Sequence, residues 1–168
     1  FSRQAKGQAM INLINLRPNE RVTAMMPFND FNDHESLMMV TRKGNIKRVN
    51  LSQFANIRKN GLIAITLNEE DNLISVIHMK KEDEQVMLVS ARGQGIMFDA
   101  AQVREMGRVA MGVRGIKLDM DDYVIGADKV NADSEAVLVT RNGYGKRTDM
   151  SLFKTQNRGG KGIKTIDV

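Results

Sequence analysis

The sequence predicts an all-β fold in which short antiparallel strands form a propeller-like array of four-stranded blades. The first observation is a repeat, because the segment LMMVTRKGNIKR (37–48) recurs as VMLVSARGQGIMF (86–98) and as AVLVTRNGYGKRT (136–148). The second is short apolar runs bounded by Gly, Asn and Asp, which are typical of strands. The third is one turn glycine per copy, at spacings of 49 and 50 residues: Gly44, Gly93 and Gly143.

Each repeat is predicted to contain four strands, which we name a to d. In the first complete repeat, strand a covers 22–28, strand b covers 37–42, strand c covers 45–51 and strand d covers 62–67. The runs alternate or are continuously apolar, as expected of strands that are buried on one or both faces.

The connections within a repeat are also predicted from the sequence. Two residues, Lys43 and Gly44, separate b from c, which is hairpin spacing, and Asn142-Gly143 is a strong hairpin signal at the same place in the third repeat. Between c and d lies a short polar segment with one apolar anchor, which predicts a single helical turn. The anchors are Phe54, Val103 and Phe153.

The repeats cover approximately 22–72, 73–123 and 124–168, and a leading d-type strand is predicted over 8–16. One repeat cannot bury both faces of its sheet, so the repeats must pack on one another. The chain starts with Phe1 and runs from one d strand to another, so we expect a fragment, with about three blades, of a longer propeller. A β-sandwich is the alternative fold, because strands at this spacing also form sandwiches.

Basic and acidic side chains fall on different connections. The net charge of +5 indicates a polyanionic partner only weakly, but its distribution says more. Carboxylates cluster in the a–b loops and d–a turns, whereas Lys and Arg occupy the b–c hairpins and c–d segments. Because an array aligns equivalent loops, the sequence predicts a basic rim with the acids away from it.

Such a rim suits the phosphate backbone of a nucleic acid, where Lys and Arg contacts are tolerant of sequence and sensitive to salt. The residues predicted to bind DNA are Arg42, Lys43, Lys47, Arg48, Arg58, Lys59, Arg92, Arg108, Arg141, Lys146, Arg147, Arg158 and Lys161.

Several other classes of function are disfavoured. The chain has no Cys, and its longest apolar run of about four residues is far short of the ~20 that cross a bilayer. His34 and His78 have no Cys or His partner at metal-ligand spacing, so no metal site is predicted. Tyr123 and Tyr144 are interpreted as packing residues, and no cluster of nucleophile and base indicates an enzyme. A propeller that binds an acidic protein partner is the alternative function.

The stretch QNRGGKG concentrates glycine and positive charge near the end of the chain. We align Gly159 with Gly7, Gly61 and Gly112, so that one glycine per repeat serves the scaffold. Arg158 and Lys161 are predicted to present charge to a phosphate, beside backbone N–H groups that glycine leaves accessible.

Five segments together resemble the C-terminal domain of DNA gyrase A over essentially the whole chain. They are SRQAKG (2–7), RKNGLIAITL (58–67), GVRGIKL (112–118), NGYGKRT (142–148) and NRGGKGIKT (157–165). The corresponding domain of topoisomerase IV is the alternative relative, but NGYGKRT is more similar to gyrase.

The resemblance implies a β-pinwheel, a propeller-like ring of usually about six blades, whose basic rim wraps duplex DNA and so supports ATP-dependent negative supercoiling. It implies no catalytic residue and no cofactor in this domain, since ATP and magnesium are used elsewhere in the parent enzyme. The implied partners are duplex DNA, the gyrase B protein and the N-terminal cleavage domain of gyrase A itself, without a membrane, in the bacterial cytoplasm at the nucleoid.

The family also has a signature box of the form Gln, basic, Arg, Gly, Gly, basic, Gly. The family's box lies in the first blade, so we interpret the stretch here as a box-like copy in a later blade, with Asn157 in place of a basic residue. Its members are Gln156, Asn157, Arg158, Gly159, Gly160, Lys161 and Gly162.

Overall fold

The computed structural model describes residues 3–9, 12, 14, 16–58, 60–80, 85–131 and 133–168. The predicted leading strand over 8–16 lies partly outside these residues. Within them the chain is all-β, as predicted, and none of the helices is long and apolar enough to cross a bilayer. The strands are β1 (Ser36–Thr41), β2 (Asn45–Asn50), β3 (Leu73–Met79), β4 (Gln85–Ser90), β5 (Gln94–Asp99), β6 (Val113–Arg114), β7 (Val124–Val130), β8 (Glu135–Val139), β9 (Gly145–Asp149) and β10 (Ile163–Lys164).

The described strands form two four-stranded sheets and one two-stranded hairpin. The first sheet has the order β3-β1-β2-β6, the second has the order β10-β5-β4-β7, and β8 pairs with β9 alone. All of these pairings are antiparallel.

Each complete sheet combines strands from two successive repeats. A b–c hairpin stays together, but its flanking a and d strands come from the next repeat, so β1 and β2 are flanked by β3 and β6. The same register recurs in the second sheet, where Gln85 faces Val130 as Ser36 faces Met79. The expectation of one blade per repeat is therefore replaced by blades that exchange strands with their neighbours.

This exchange explains why two predicted strands are wrong. The segments 22–28 and 62–67 have no strand structure, because among the described residues no b–c hairpin lies between them. They pack against the first sheet instead, where Phe28 and Leu62 contact a cluster that contains Leu51.

The b–c bends are three residues long rather than the predicted two. β1 ends at Thr41 and β2 begins at Asn45. The Gly44 N–H donates to the Thr41 carbonyl at 3.0 Å, and Gly44 has a φ of +85°. A left-handed residue after a tight turn is the usual solution for a three-residue hairpin, and glycine adopts it at the lowest cost.

Short 3-10 turns follow each c strand, which confirms the predicted helical turn between c and d. They cover Leu51–Phe54, Ala100–Gln102 and Met150–Leu152. The first begins after Asn50, whose side chain accepts a hydrogen bond from the Ser52 N–H.

The main core lies between the two complete sheets. Met38 and Ile46 of the first sheet pack with Leu88 and Phe98 of the second, and these side chains are fully buried. At one edge the two a-type strands meet, because the Ala127 N–H on β7 donates to the Ser75 hydroxyl on β3 at 3.2 Å. We call this the inner edge, and the opposite edge, formed by the d-type strands β6 and β10, the outer edge.

A pair of equivalent glycines tests the strand exchange. A Cβ added to Gly93 would overlap the Ile166 carbonyl of the next repeat, whereas at Gly143 it would meet nothing within 4 Å. Both have positive φ, so we expect Gly143→Ala to cost about 1–2 kcal/mol for the backbone conformation.

Gly93→Ala should cost about 1–3 kcal/mol more, because the backbone of the next repeat must move. Urea denaturation of both variants measures the difference. Equal losses of stability would contradict the close approach at Gly93.

Candidate nucleic-acid interface

The outer edge is built from the c–d loops and d segments, and those of the second and third repeats lie against strand c of the preceding repeat. The Met106 N–H donates to the Arg48 carbonyl at 2.8 Å, and the Gln156 N–H donates to the Met97 carbonyl at 2.7 Å. These are equivalent contacts one repeat apart. The chain therefore brings the same stretch of each repeat to the same edge.

These stretches carry almost all of their charge as Lys and Arg. The segments 55–67, 104–118 and 154–166, which we call the outer-edge segments, contain ten basic residues and one acid, Glu105. The basic residues are Arg58, Lys59, Arg104, Arg108, Arg114, Lys117, Lys154, Arg158, Lys161 and Lys164. Lys59 lies outside the described residues.

The box-like stretch 156–162 is a loop that packs on the d segment of the preceding repeat. The Gly159 N–H donates to the Gly115 carbonyl at 2.7 Å, and the Lys117 N–H donates to the Gly160 carbonyl at 2.8 Å. The two outer-edge segments are thus bound to each other, and the positive charges of both lie on a continuous surface.

The scaffold glycine of this loop is Gly162 and not Gly159 as predicted. Gly162 precedes β10 as Gly112 precedes β6. A Cβ at Gly162 would overlap the Gly95 carbonyl, and one at Gly112 would lie 2.6 Å from the Ile46 carbonyl. The d strand approaches strand c too closely for any side chain at these two positions, which explains why both are glycine.

Arg158 fixes the loop in place. Its backbone N–H donates to the Gln102 side-chain oxygen at 2.8 Å, its Nε donates to the Gln102 carbonyl at 3.1 Å, and its guanidinium also donates to the Arg114 carbonyl. Arg158 is half-buried. It therefore has a structural role, whatever it contributes to an anionic ligand.

Lys161 extends from the same loop into solvent. Its ammonium lies 3.1 Å from the carboxylate of Asp119, and both side chains are more than half exposed. An exposed pair of this kind is weak and is screened by salt, so the ammonium can exchange this carboxylate for another anion.

The b–c bends do not form a basic rim separate from the acids, and that prediction is wrong. Asp71 accepts a hydrogen bond from the Lys43 N–H at 2.9 Å, and Asp122 accepts one from the Arg92 N–H at 3.0 Å. The physical reason is strand exchange, because the d–a turn of each repeat caps the b–c bend of the preceding one. Its carboxylates must lie beside the basic side chains of the bend.

Arg42 joins two repeats at this end of the sheets. Its guanidinium stacks over the ring of Tyr123 at 3.6 Å, and its carbonyl accepts a hydrogen bond from the Val124 N–H. This is a cation–π contact, and it confirms Tyr123 as a packing residue. Tyr144 differs from the prediction, since its side chain is mostly exposed.

Lys47 is not a DNA contact, because its side chain is fully buried. Its ammonium donates to the carbonyl of Ala64 at 2.8 Å and to the carbonyl of Arg108, which belong to the outer-edge segments of two different repeats. Burial and the nearby Arg108 charge lower the pKa of Lys47 to about 8. The sequence marks it as polar on a strand, but burial at this position follows from the strand exchange.

Four other predicted residues bind within the chain, and one of them is Lys43, whose exposed side chain donates from its ammonium to the Glu69 carbonyl at 2.8 Å. The Arg48 Nε donates to the Ser36 hydroxyl at 2.9 Å, and Arg147 lies 3.3 Å from Glu135. Lys146 donates to the Thr165 carbonyl at 3.4 Å. The remaining predicted residues differ in exposure: Arg58, Arg92 and Arg141 are exposed, and Arg108 is half-buried.

Sequence reasoning left five outer-edge residues out of the predicted site, and two of them, Lys154 and Lys164, are exposed near the end of the chain. Arg104, Arg114 and Lys117 are exposed and lie on the same edge as the box-like loop. The sequence already places Arg104 and Arg114 in the basic c–d segments, and this position could have identified them. Lys117 follows the d strand, and only the contact between its backbone and Gly160 shows that it joins this surface.

The described histidines have protein partners. The His78 ring lies 2.8 Å from the Glu35 carboxylate and contacts Phe28 edge-on, and this hydrogen bond lowers the pKa of Glu35. His34 is exposed beside Asp33. Among the residues that the structure describes, no group of three or more His, Cys, Asp and Glu could hold a metal ion.

A family model described as DNA gyrase C-terminal domain, beta-propeller, matches residues 2–29, 35–78, 84–131 and 134–168. The breaks between these segments fall in the connections between a and b segments, so the matches 35–78 and 84–131 each hold a b–c hairpin with the d and a segments that follow it. This match confirms the propeller-like fold.

Curated relatives that are A subunits of DNA gyrase align with nearly the whole chain. The protein of Staphylococcus epidermidis is 42% identical over 171 residues, and that of Helicobacter pylori is 42% identical over 163 residues. The alignments cover 100% and 96% of this chain and 19% and 20% of the relatives. The chain thus spans about a fifth of the length of these relatives.

Two solved structures have the same fold. The C-terminal domain of DNA topoisomerase IV superposes with a TM-score of 0.87 at 28% identity, over 94% of this chain and 49% of that one. The DNA gyrase A C-terminal domain superposes with a TM-score of 0.81 at 32% identity, over 95% of this chain and 53% of that one.

The buried Lys47 predicts a specific pH dependence of stability. Its pKa is about 8 in the folded protein and 10.5 as an ordinary lysine, so between these values the unfolded chain binds more protons than the folded chain. The free energy of unfolding should therefore rise with pH across this window, by about 3 kcal/mol from this group.

Lys47→Met removes that rise, and urea denaturation from pH 7 to pH 10.5 measures it as the difference from the unmodified chain. Lys43→Met, at an exposed lysine, is the matched control and should keep the rise. An unchanged pH profile in Lys47→Met would contradict the assignment.

Proposed function

The chain belongs to the family of DNA gyrase C-terminal domains, and from this membership we propose that it binds duplex DNA along its outer edge and wraps it. In this proposal it is the DNA-wrapping domain of a gyrase A protein. Wrapping would present a DNA crossing of fixed hand to the rest of the enzyme and so support negative supercoiling.

The observation that carries this proposal is the composition of the outer-edge segments. Among the described residues of these segments, nine bases and one acid lie on consecutive connections, and strand exchange brings those of the second and third repeats to one edge. Duplex DNA carries a regular row of phosphates, so an edge with basic side chains in every repeat can contact it at regular intervals. Contacts to phosphates carry no sequence information, and binding should be tolerant of DNA sequence.

The bends at the other end of the sheets are poorer candidates for the same contact. Their Lys and Arg side chains lie beside carboxylates such as Asp71 and Asp122, which hold the bends by hydrogen bonds. A phosphate there would face these acids at short range, and like charges repel. We therefore assign the DNA path to the outer edge and not to the b–c bends.

The structural likeness to a topoisomerase IV C-terminal domain favours a second candidate, a DNA-binding domain of that enzyme. It has the same type of ligand and the same outer edge. The box-like stretch and the curated relatives, which are gyrase A proteins, favour gyrase.

The remaining parts of the reaction are assigned to the parent enzyme. We propose that strand cleavage, ATP and magnesium belong to its other domains, and that this domain supplies DNA binding only. Its partners would be the gyrase B protein and the N-terminal cleavage domain of the same gyrase A polypeptide, in the bacterial cytoplasm at the nucleoid.

Two matched triple variants test the path of the DNA. The outer-edge variant is Arg104→Gln, Arg114→Gln and Lys117→Gln, and the bend variant is Lys43→Gln, Arg92→Gln and Arg141→Gln. Both remove the same charges from exposed positions. With a duplex of ~40 base pairs, each lost phosphate contact should reduce the slope of log K against log salt by about 0.9.

We expect the outer-edge variant to bind more weakly, with a slope smaller by about 2–3, and the bend variant to bind nearly as the unmodified chain. Fluorescence anisotropy at several salt concentrations gives both slopes, and two duplexes of unrelated sequence test sequence tolerance. A loss confined to the bend variant would overturn the assignment. Absence of duplex binding by the unmodified chain at low salt would favour a protein-binding scaffold instead.

A further inference from the structure

The outer-edge loop of the second repeat is equivalent, residue by residue, to the box-like loop of the third. In each loop a backbone N–H, from Met106 or Gln156, donates to strand c of the preceding repeat. Six residues later each loop ends at the glycine that precedes the d strand. The stretch RVAMG (108–112) therefore has the place of RGGKG (158–162).

The second repeat presents apolar side chains in this loop. Val109 is equivalent to Gly159, and Met111 is equivalent to Lys161. The side chains of Val109 and Met111 are 68% and 41% exposed. We propose that they contact the apolar carbon edges of deoxyribose groups, at a place where a groove of the duplex rather than a phosphate faces the protein. The inference rests on the proposed DNA binding along the outer edge, and it adds a contact without charge.

The exposure of these side chains belongs to a loop that has a neighbouring repeat on each side. The structure describes outer-edge residues of all three repeats, and the second lies between the other two. On one side Thr66 of the first repeat binds the loop. On the other side the Gly159 N–H of the third repeat donates to the Gly115 carbonyl at 2.7 Å. Val109 and Met111 remain in solvent although repeats pack on both sides.

The backbone of the loop is held by the first repeat through three consecutive carbonyl groups. The Thr66 hydroxyl donates to the Val109 carbonyl at 2.6 Å, and the Thr66 N–H donates to the Ala110 carbonyl at 3.4 Å. The buried Lys47 ammonium donates to the Arg108 carbonyl. A side chain on a backbone that is already fixed loses little conformational freedom on binding, so the burial of its surface contributes to affinity.

The charges around the loop indicate a polyanion that has apolar surface between its charges. Arg104 and Arg114 are exposed in the same outer-edge segment, and Arg108 is half-buried. The single acid of this segment, Glu105, lies 3.8 Å from Arg48. Duplex DNA has a deoxyribose between successive phosphates, and on DNA curved around a protein the minor groove faces inward about every 10 base pairs. Two apolar side chains among arginines match this alternation of groove and phosphate.

Apolar contacts and phosphate contacts respond differently to salt. Binding to phosphates releases counterions, so log K falls linearly with log salt, with a slope of about −0.9 per phosphate. Burial of apolar surface stabilises a complex without releasing counterions. Loss of the apolar contact should therefore weaken binding at every salt concentration and leave the slope unchanged, whereas loss of a phosphate contact reduces the slope.

The double variant Val109→Ser, Met111→Ser tests the contact in the complete 168-residue chain. Fluorescence anisotropy with a duplex of ~40 base pairs should show about 5–30-fold weaker binding at each salt concentration, with an unchanged slope. Lys161→Gln, at the position equivalent to Met111, should instead reduce the slope by about 0.9.

Met120→Ser is the matched control for the loss of an exposed methionine. Met120 is 85% exposed and lies between Asp119 and Asp121, where a phosphate would be repelled. This variant should bind as the unmodified chain does. Val109→Ser alone should show part of the loss, and because this side chain is mostly in solvent, the single variant keeps the test valid if the double variant does not fold. Circular dichroism establishes that the sheets are retained.

Three results would overturn the inference while leaving the proposed function in place. They are duplex binding by the double variant equal to that of the unmodified chain, an equal loss in Met120→Ser, and a double variant whose slope falls as that of Lys161→Gln does. The first would assign the apolar side chains to a different ligand, such as a protein. Absence of duplex binding by the unmodified chain would refute the proposed function and the inference together.

Discussion

The structure depends on one constraint, which is that a b–c hairpin receives its flanking strands only from the next repeat. The backbone groups at both edges of β1–β2 are paired by β3 and β6, so the first sheet does not exist without the second repeat. Neighbouring repeats are therefore held by main-chain ladders as well as by side-chain packing. In a repeat array this makes the interface between repeats part of the fold of each repeat.

The distribution of charge follows from the same constraint. The d–a turn of a repeat must reach the b–c bend of the preceding one, and it satisfies the backbone N–H groups there with the carboxylates of Asp71 and Asp122. Acids are thus needed at the bends for structural reasons. The c–d loops have no such requirement, because their backbone groups bind carbonyl and amide groups. Apart from Glu105, all the charged side chains of these loops are basic.

The sequence predicts the strands of this fold better than it predicts their partners. Local patterns identify the hairpins around Gly44, Gly93 and Gly143 and the short helical turns after them, since these depend on neighbouring residues alone. Strand exchange is not visible in such patterns, because an a strand looks the same whichever hairpin it joins. The burial of Lys47, the acids at the bends and the role of Gly162 all follow from strand exchange, and all three differ from the sequence-based expectation.

The position of Lys47 shows how one repeat can differ from the next within a common frame. The equivalent residues are Lys47 on β2, Ile96 on β5 and Lys146 on β9, which follows from the equivalent 3-10 turns after each strand. The buried ammonium of Lys47 binds the carbonyls of Ala64 and Arg108 and so ties two outer-edge segments together, whereas Ile96 packs at the same place without a polar contact to them. Between the second and third outer-edge segments, Arg158 makes the equivalent connection by donating to the carbonyls of Gln102 and Arg114. A cation therefore binds two carbonyl groups at both contacts between outer-edge segments. It lies on a strand in the first contact and in a loop in the second. The buried Lys47 and the half-buried Arg158 keep their hydrogen bonds only in one arrangement of their acceptors, so each of them fixes the spacing of adjacent outer-edge segments, on which the proposed series of phosphate contacts would depend.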